Sequence, residues 1–325
     1  MLTRRDFVAG ASLALAAGAG PVSAQAYPTQ TIRMIAGFPA GGGIDLLARI
    51  LAEPLKPLGQ PVIVENRTGA AGMIAASAVA KAPPDGHMVL MATSGEIAIA
   101  RHLYKDKMTY DPMTELAPVA LAGIVPCVVV VAAETPVKTP QELIAYAKAN
   151  PKKLSFSSSG VGNPQQLAGE LMNAMAGTDV LHVPYRGAAP AVTDVATGAV
   201  TMSFSSYAAA LPLIQAGKLR AVAVTSLERM PQLPDVAPLQ EGAPGLKGYE
   251  LLNWFGVFTT GRTPESIVSK LNEITVKTFT DAEMVKKLAV QGIVPRRTTP
   301  AEFGQFVRSE SAKFARIIEQ AKIKI

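Results

Sequence analysis

From Ile32 onward, short runs of apolar and β-branched residues alternate with longer stretches whose apolar positions recur every three to four residues. Eight runs read as strands: Ile32 to Ala36, Pro61 to Glu65, His87 to Ala92, Pro126 to Ala132, Leu154 to Ser158, Val180 to Pro184, Thr201 to Ser205 and Leu219 to Thr225. Helical spacing fills the intervals at Ile44 to Leu58, Ala71 to Lys81, Thr139 to Ala149, Pro164 to Ala176, Ala188 to Thr197 and Tyr207 to Ala216. Strand and helix in strict alternation predict α/β layers around mainly parallel sheets. Three further amphipathic stretches follow with no strands between them: Pro264 to Phe279, Asp281 to Gln291 and Pro300 to Ala321. Thr139-Pro140-Gln141-Glu142 and Thr299-Pro300-Ala301-Glu302 mark helix starts, each with a capping Thr, Pro at the first helical position and Glu three residues on.

Eight strands in two groups exceed one small sheet, and the helical C-terminus needs an earlier domain to pack on. Both requirements are met if the chain leaves a first lobe near Val119 to Val125, builds a second, and returns through Tyr249 to Thr259. The expected lobes are 27–122 with 250–325, and 123–249. Two crossings make a hinge, with a cleft between the lobes.

Residues 1–26 read differently, as a targeting segment. Arg4 and Arg5 precede the apolar stretch Phe7 to Ala19, and small residues from Val22 to Ala26 offer a cleavage site after Ala24 or Ala26. Thr3-Arg4-Arg5-Asp6-Phe7-Val8 resembles a twin-arginine signal without the Lys that often follows it, the general secretory route being the alternative. Export to the periplasm is expected. The remainder has 29 basic and 24 acidic residues, a mild excess that suits an anionic ligand. Its basic residues are scattered and not interleaved with aromatics, which argues against nucleic acid. Cys127, the single cysteine, lies in the apolar run Val125-Pro126-Cys127-Val128 and reads as a small buried side chain.

The candidate chemistry lies in strand-to-helix turns. Gly37-Phe38-Pro39-Ala40-Gly41-Gly42-Gly43 joins an apolar strand to a helix, so its backbone amides and the helix N-terminus can meet an anion. Asp45 is expected to steady the first helical turn. Ser157-Ser158-Ser159-Gly160-Val161-Gly162-Asn163-Pro164 is a similar turn in the other lobe, with Ser and Asn side chains beside the backbone donors. Tyr185 with Arg186 follows the sixth strand, Thr93 and Ser94 the third, and Ser205 and Ser206 close the seventh. All sit at strand C-terminal ends, where open α/β sheets bind ligands. For each Ser or Thr alone, helix capping is an equal reading.

The glycine-rich turn lacks the Gly-Lys-Ser/Thr ending of a phosphate-binding loop and the dinucleotide spacing. No Gly-x-Ser-x-Gly elbow occurs, and His87, His102 and His182 are not grouped for a metal or a nucleophile. The sequence therefore reads as a binding protein, not an enzyme, with no metal and no cofactor.

Several segments, in order, carry a family likeness: Tyr27-Pro28, Gly37 to Asp45 with Ala48-Arg49, Gly59 to Arg67, Gly69-Ala70-Ala71-Gly72, Pro84-Asp85-Gly86, Tyr185-Arg186-Gly187, and Arg229 with Leu233 to Val236. The chain resembles the Bug-type solute-binding receptors of tripartite tricarboxylate transporters from about Tyr27 to the last helix. The resemblance implies a type II periplasmic binding fold and a monomer that passes a small organic carboxylate to integral membrane permease subunits. It also implies a carboxylate held by the Phe38 to Gly42 backbone and closed upon by Ser158, Gly160, Gly162 and Asn163, with ordered waters between. Phe38, Ala40, Gly41 and Gly42 would meet the near end of the ligand, and Thr93, Ser94, Tyr185, Ser205 and Ser206 the far end.

Two positions depart from the family pattern. Gly37 stands where Pro is common, and Phe204-Ser205-Ser206 lacks an Asp found near that strand end in many members. Without that Asp an amino group has no partner, which leaves dicarboxylates, tricarboxylates and aromatic acids open. A sensing role, in which the bound acid is presented to a membrane sensor kinase, requires the same cleft and is the alternative to uptake.

Overall fold

The computed structural model describes residues 27–323, so the expected export segment lies outside the described residues. Among the described residues there are nine strands: β1 (Ile32–Ala36), β2 (Val62–Asn66), β3 (Met88–Thr93), β4 (Leu116–Ala132), β5 (Ser155–Ser158), β6 (Leu181–Pro184), β7 (Met202–Ser206), β8 (Leu219–Val224) and β9 (Leu252–Thr260). The helices are α1 (Gly43–Leu55), α2 (Met73–Ala80), α3 (Ala100–Leu103), α4 (Pro140–Ala149), α5 (Pro164–Ala176), α6 (Ala188–Ala196), α7 (Tyr207–Gln215), α8 (Glu265–Phe279), α9 (Ala282–Val290) and α10 (Pro300–Gln320).

The strands run in the order β2-β1-β3-β9-β4-β7-β5-β6, with β8 on the far part of β4. β4 belongs to both lobes. Its first part, to Pro126, pairs with β9, and from Cys127 onward it pairs with β7 and β8. β1 is parallel to β2 and β3, and β5 is parallel to β6 and β7. The pairings of β4 and β9 are antiparallel. Each sheet is thus mainly parallel, as expected: four of its five strands run one way and one runs against them, β9 in the first sheet and β4 in the second.

The sequence reading missed β9 and the first part of β4, taking both for the crossing chain. The reason is local: Pro118 and Gly123 sit at interruptions of the β4–β9 register, where a strand tolerates them but a strand pattern is broken. The crossing strands are cross-linked by Thr225. Its hydroxyl accepts from the Cys127 amide (2.8 Å) and donates to the Leu251 carbonyl (2.6 Å). Cys127 itself is buried, and burial pushes its thiol up to about 12, so it packs as an apolar residue, as expected.

The most buried parallel strands are the most apolar, as at Ile32, Met34, Ile35 and Ala36 of β1 and Val89 to Ala92 of β3. In α1, Ile44, Leu47, Ala48, Leu51 and Leu55 recur at helical spacing and are all buried. α10 opens with the expected capping box, Thr299 and Glu302 satisfying each other's backbone amides. Its buried stripe includes Phe303, Val307, Phe314 and Ile317. Phe303 packs on Phe258 (5.0 Å between centroids) and edge-on to Trp254 (6.0 Å), both on β9. One apolar cluster runs from Ile35 and Leu90 in one lobe, through Trp254 and Tyr249 at the crossing, to Phe156 and Leu167 in the other. No helix among the described residues is long and apolar enough to cross a membrane.

Candidate functional site

Parallel register brings the ends of β1 and β3 to one edge, and the ends of β5, β6 and β7 to the facing edge of the other lobe. The edges approach closely. A Cβ at Gly95, just after β3, would lie 3.8 Å from the Gly162 carbonyl oxygen, and one at Gly162 would lie 2.9 Å from the Tyr104 ring. The 157–164 turn of one lobe therefore lies against the segment that follows β3 in the other.

The glycine-rich turn is set by Asp45. This buried carboxylate accepts from the Gly41 amide (3.0 Å), Arg49 Nε (2.9 Å) and Asn66 Nδ2 (3.0 Å), while Asn66 also donates to the Phe38 carbonyl (3.0 Å). The Arg49 bond, with those from Gly41 and Asn66, holds the Asp45 carboxyl below the usual range. Asp45 and Asn66 thereby fix both ends of the turn, with Phe38 half-buried and Ala40, Gly41 and Gly42 exposed. Gly41 lies at φ +86°, a conformation that excludes most side chains. The Gly41 amide, expected to be free for an anion, is already occupied. The amides of Gly42, Gly43 and Ile44 have no hydrogen-bond partner among the described residues, and α1 has no side-chain cap.

A depressed carboxyl pKa stabilises the fold above the unfolded-state value near 4 and is lost as pH falls through the folded value. Asp45→Asn should accordingly lower stability near pH 7 by about 1.5–3 kcal/mol, the usual worth of a hydrogen-bonded charge. Urea unfolding at several pH values checks it: the gap to wild type should shrink below about pH 4, and a constant gap would refute the assignment.

The second turn also ties up donors that were expected to be open. Ser159 N and Gly162 N donate to Gln165 Oε1 and Gln166 Oε1 (2.8 Å each), and Gly160 N to Ser158 Oγ (3.3 Å). Ser158 Oγ donates to the Gly160 carbonyl (2.8 Å), so His182 Nε2, 2.7 Å away, must carry the hydrogen it shares with Ser158. Burial lowers His182 to about 4, which keeps the ring neutral and stacked on Phe156. Asn163 caps α5 through Gln166 N and donates to Ser159 Oγ. These side chains shape the turn, and the amides left without a protein partner are Val161 and Asn163.

The other candidates divide. The Tyr185 hydroxyl is committed to Asp194 (2.5 Å), a bond that raises it to about 12. Arg186 is exposed. Gly187 and Ser206 precede α6 and α7, neither of which has a side-chain cap. Ser205 Oγ is buried without a hydrogen-bond partner. Ser94 Oγ donates to Asn253 Oδ1 (2.9 Å) on β9, and Thr93 is bonded to Glu96.

Sequence reasoning missed Asn253, Glu96 and Tyr104. Asn253 lies in a stretch taken for connecting chain, and Glu96 and Tyr104 in one assigned to no element. The only sequence signal was a polar residue interrupting an apolar run. Among the described residues no group of three His, Cys, Asp or Glu side chains could hold a metal ion.

Comparison with known proteins agrees with this architecture. Residues 47–323 match the model of the tripartite tricarboxylate transporter family receptors, TctC. Protein BugT of Bordetella pertussis is 33% identical over 325 residues, covering 100% of this chain and 99% of that protein. The structure of R. palustris Rpa4515 with adipate superposes with a TM-score of 0.85 at 34% identity, over 92% of this chain and 99% of that one. MatC (Rpa3494) from Rhodopseudomonas palustris with bound malate gives 0.80 at 30% identity, over 90% and 100%. The chain belongs to the Bug-type, TctC family of periplasmic solute-binding receptors.

Proposed function

We propose that the protein captures a small carboxylate, a dicarboxylate, tricarboxylate or aromatic acid, between lobes 27–122 with 250–325 and 123–249, and delivers it to a tripartite tricarboxylate-type permease. The observation that carries this reading is the set of uncapped helix starts at the facing strand edges. α1, α6 and α7 each begin there without a side-chain cap. At the same edge α5 is capped by Asn163, and away from the cleft α4, α9 and α10 are capped by Thr139, Asp281 and Thr299 while α8 is not. A helix start left open costs stability unless another group meets its amides, and an anion does so with favourable charge. The adipate and malate held by the two similar structures are anions of this kind.

In this reading the ligand's near carboxylate meets the amides of Gly42, Gly43 and Ile44. Thr93, Ser94, Asn253 and Ser206 line the remainder, and the 158–163 turn closes over it. Residues 1–26 are removed on export. The protein is a receptor without a catalytic step, so the acid leaves as it entered.

A thermal-unfolding screen of residues 27–325 with adipate, malate, citrate and benzoate tests the reading. An acid at ~100 times its Kd adds about 2.7 kcal/mol, an upward shift of a few degrees for a chain of this size. No shift with any carboxylate, or recovery of an acid chemically altered, would refute it.

A further inference from the structure

Glu96 is fully buried directly behind the cleft edge, and the binding scheme above makes no use of it. It is the second residue of the π turn Gly95–Ile99 that follows β3. Such turns cost helix geometry and occur often at functional sites. Its carboxyl packs against Gly72, where a Cβ would come within 2.9 Å of Glu96 Cδ. A Cβ at Gly37 would in turn lie 2.9 Å from Gly72 Cα, so Gly72 alone separates the carboxyl from the start of the glycine-rich turn. This close approach also explains Gly at position 37.

The bonding around the carboxyl is specific. Oε1 accepts from the Thr93 amide (2.8 Å), Oε2 lies 2.5 Å from Thr93 Oγ1, and Thr93 Oγ1 accepts from the Gly95 amide (3.0 Å). When Glu96 is ionised, the Thr93 hydroxyl must give its hydrogen to Oε2. When Glu96 is protonated, Oε2 donates to Thr93 Oγ1. That oxygen then accepts twice, and its own hydrogen is released towards another acceptor.

We propose that Glu96 takes up a proton from solvent when the receptor binds its anion, and that this proton turns the Thr93 hydroxyl into a donor to the ligand's carboxylate. Glu96 is thus a positioning residue that acts through Thr93. The proposal rests on Thr93 being part of the binding site. One proton is gained per ligand, the ligand stays ionised, and no bond other than the proton's is made or broken.

Charged neighbours leave the carboxyl to its burial. β3, the Ala70–Gly72 turn, α2 and β9 carry no titratable side chain, and neither does the facing 159–163 turn. From the following segment, the Tyr110 hydroxyl donates to the Glu96 carbonyl (2.6 Å). His102, in α3 beside Arg101, spends Nε2 on Ser311 of α10 (2.8 Å). On α10, which packs against the π turn, Lys313 pairs with Glu250 (2.8 Å) and lies 3.8 Å from Glu310, while Arg308 is one turn nearer the helix start. Tyr104, against Gly162, and Lys105 complete the surroundings. Burial raises the Glu96 carboxyl to about 7, within reach of physiological change.

The sign follows from linkage. If the anion prefers the protonated form, binding raises the Glu96 pKa further. Affinity is then constant below pH ~7 and falls above it by up to about tenfold per pH unit. Calorimetric titration with adipate and malate at pH 6, 7 and 8.5, in buffers of different ionisation enthalpy, reads both affinity and proton uptake. Wild type should take up a proton near pH 8 and bind ~10-fold or more weakly at pH 8.5 than at pH 6. Glu96→Gln carries the bonding pattern of the protonated acid permanently. It should show no uptake and no slope, and bind more tightly than wild type at pH 8.5. Thr93→Val should weaken binding at pH 6 and also abolish the slope, which tests the idea even if Glu96→Gln fails to fold. Binding by wild type without proton uptake, or the same uptake in Glu96→Gln, overturns the proposal. Failure of adipate, malate, citrate and benzoate alike to bind wild type at any pH sinks the carboxylate-receptor reading as well.

Discussion

Gly42→Leu should weaken binding of the acid that stabilises wild type by at least about 100-fold, or roughly 2.7 kcal/mol, while the protein still folds. Gly42 is the N-cap of α1 at φ −84° and ψ 171°, an extended conformation open to any residue. Its nearest neighbour to an added Cβ is the Pro39 carbonyl at 3.6 Å, an ordinary contact. The residue is exposed at the cleft edge, so the side chain would occupy the space in front of the Gly42, Gly43 and Ile44 amides instead of disturbing the core. The cost to the fold is that of a poor N-cap, about 1 kcal/mol. Gly41 is a less clean position, because its left-handed backbone would add strain of its own. Calorimetry for affinity and thermal unfolding for stability separate the two effects. Unchanged affinity in a folded Gly42→Leu protein would remove these amides from the site.

Trp254→Ala should destabilise the protein by about 3–5 kcal/mol, the range for emptying a large buried aromatic site. Trp254 is fully buried on β9, edge-on to both Phe303 (6.0 Å) and Phe306 (5.8 Å) of α10. It joins the packing of both lobes at the return crossing, where local collapse into the void would pull on two sheets at once. Trp254→Phe is the informative companion. The indole Nε1 is buried without a hydrogen-bond partner, so its removal relieves an unsatisfied donor and offsets much of the lost packing. Urea unfolding should therefore place Trp254→Phe well above Trp254→Ala in stability. Equal losses in the two variants would show that the packing account is wrong.

The turns at the facing strand edges were legible because strand-to-helix turns announce themselves. Glycine and proline punctuate an apolar run, and the parallel α/β arrangement sends each such turn to the same edge. The three glycines at Gly41 to Gly43 and the Ser158 to Asn163 turn were identified in this way. Which amides stay open was not legible. It depends on Asp45 reaching back to Gly41, and on Gln165 and Gln166 folding over Ser159 and Gly162. In a list of residues, a glutamine one turn into a helix is only a helix former.

Sequence alone determined the α/β character, the positions of eight strands, the capped starts of α4 and α10, and the family. These follow from period, composition and local turn chemistry, which need no distant partner. Tertiary structure decided what required two remote segments to meet. It paired β9 with β3 and the first part of β4, whose Pro118 and Gly123 are acceptable only at bulges that a partner strand creates. It also placed Glu96 under Gly72 and against Thr93, where burial, a property of the surrounding fold and not of the glutamate, sets whether a carboxyl carries its charge.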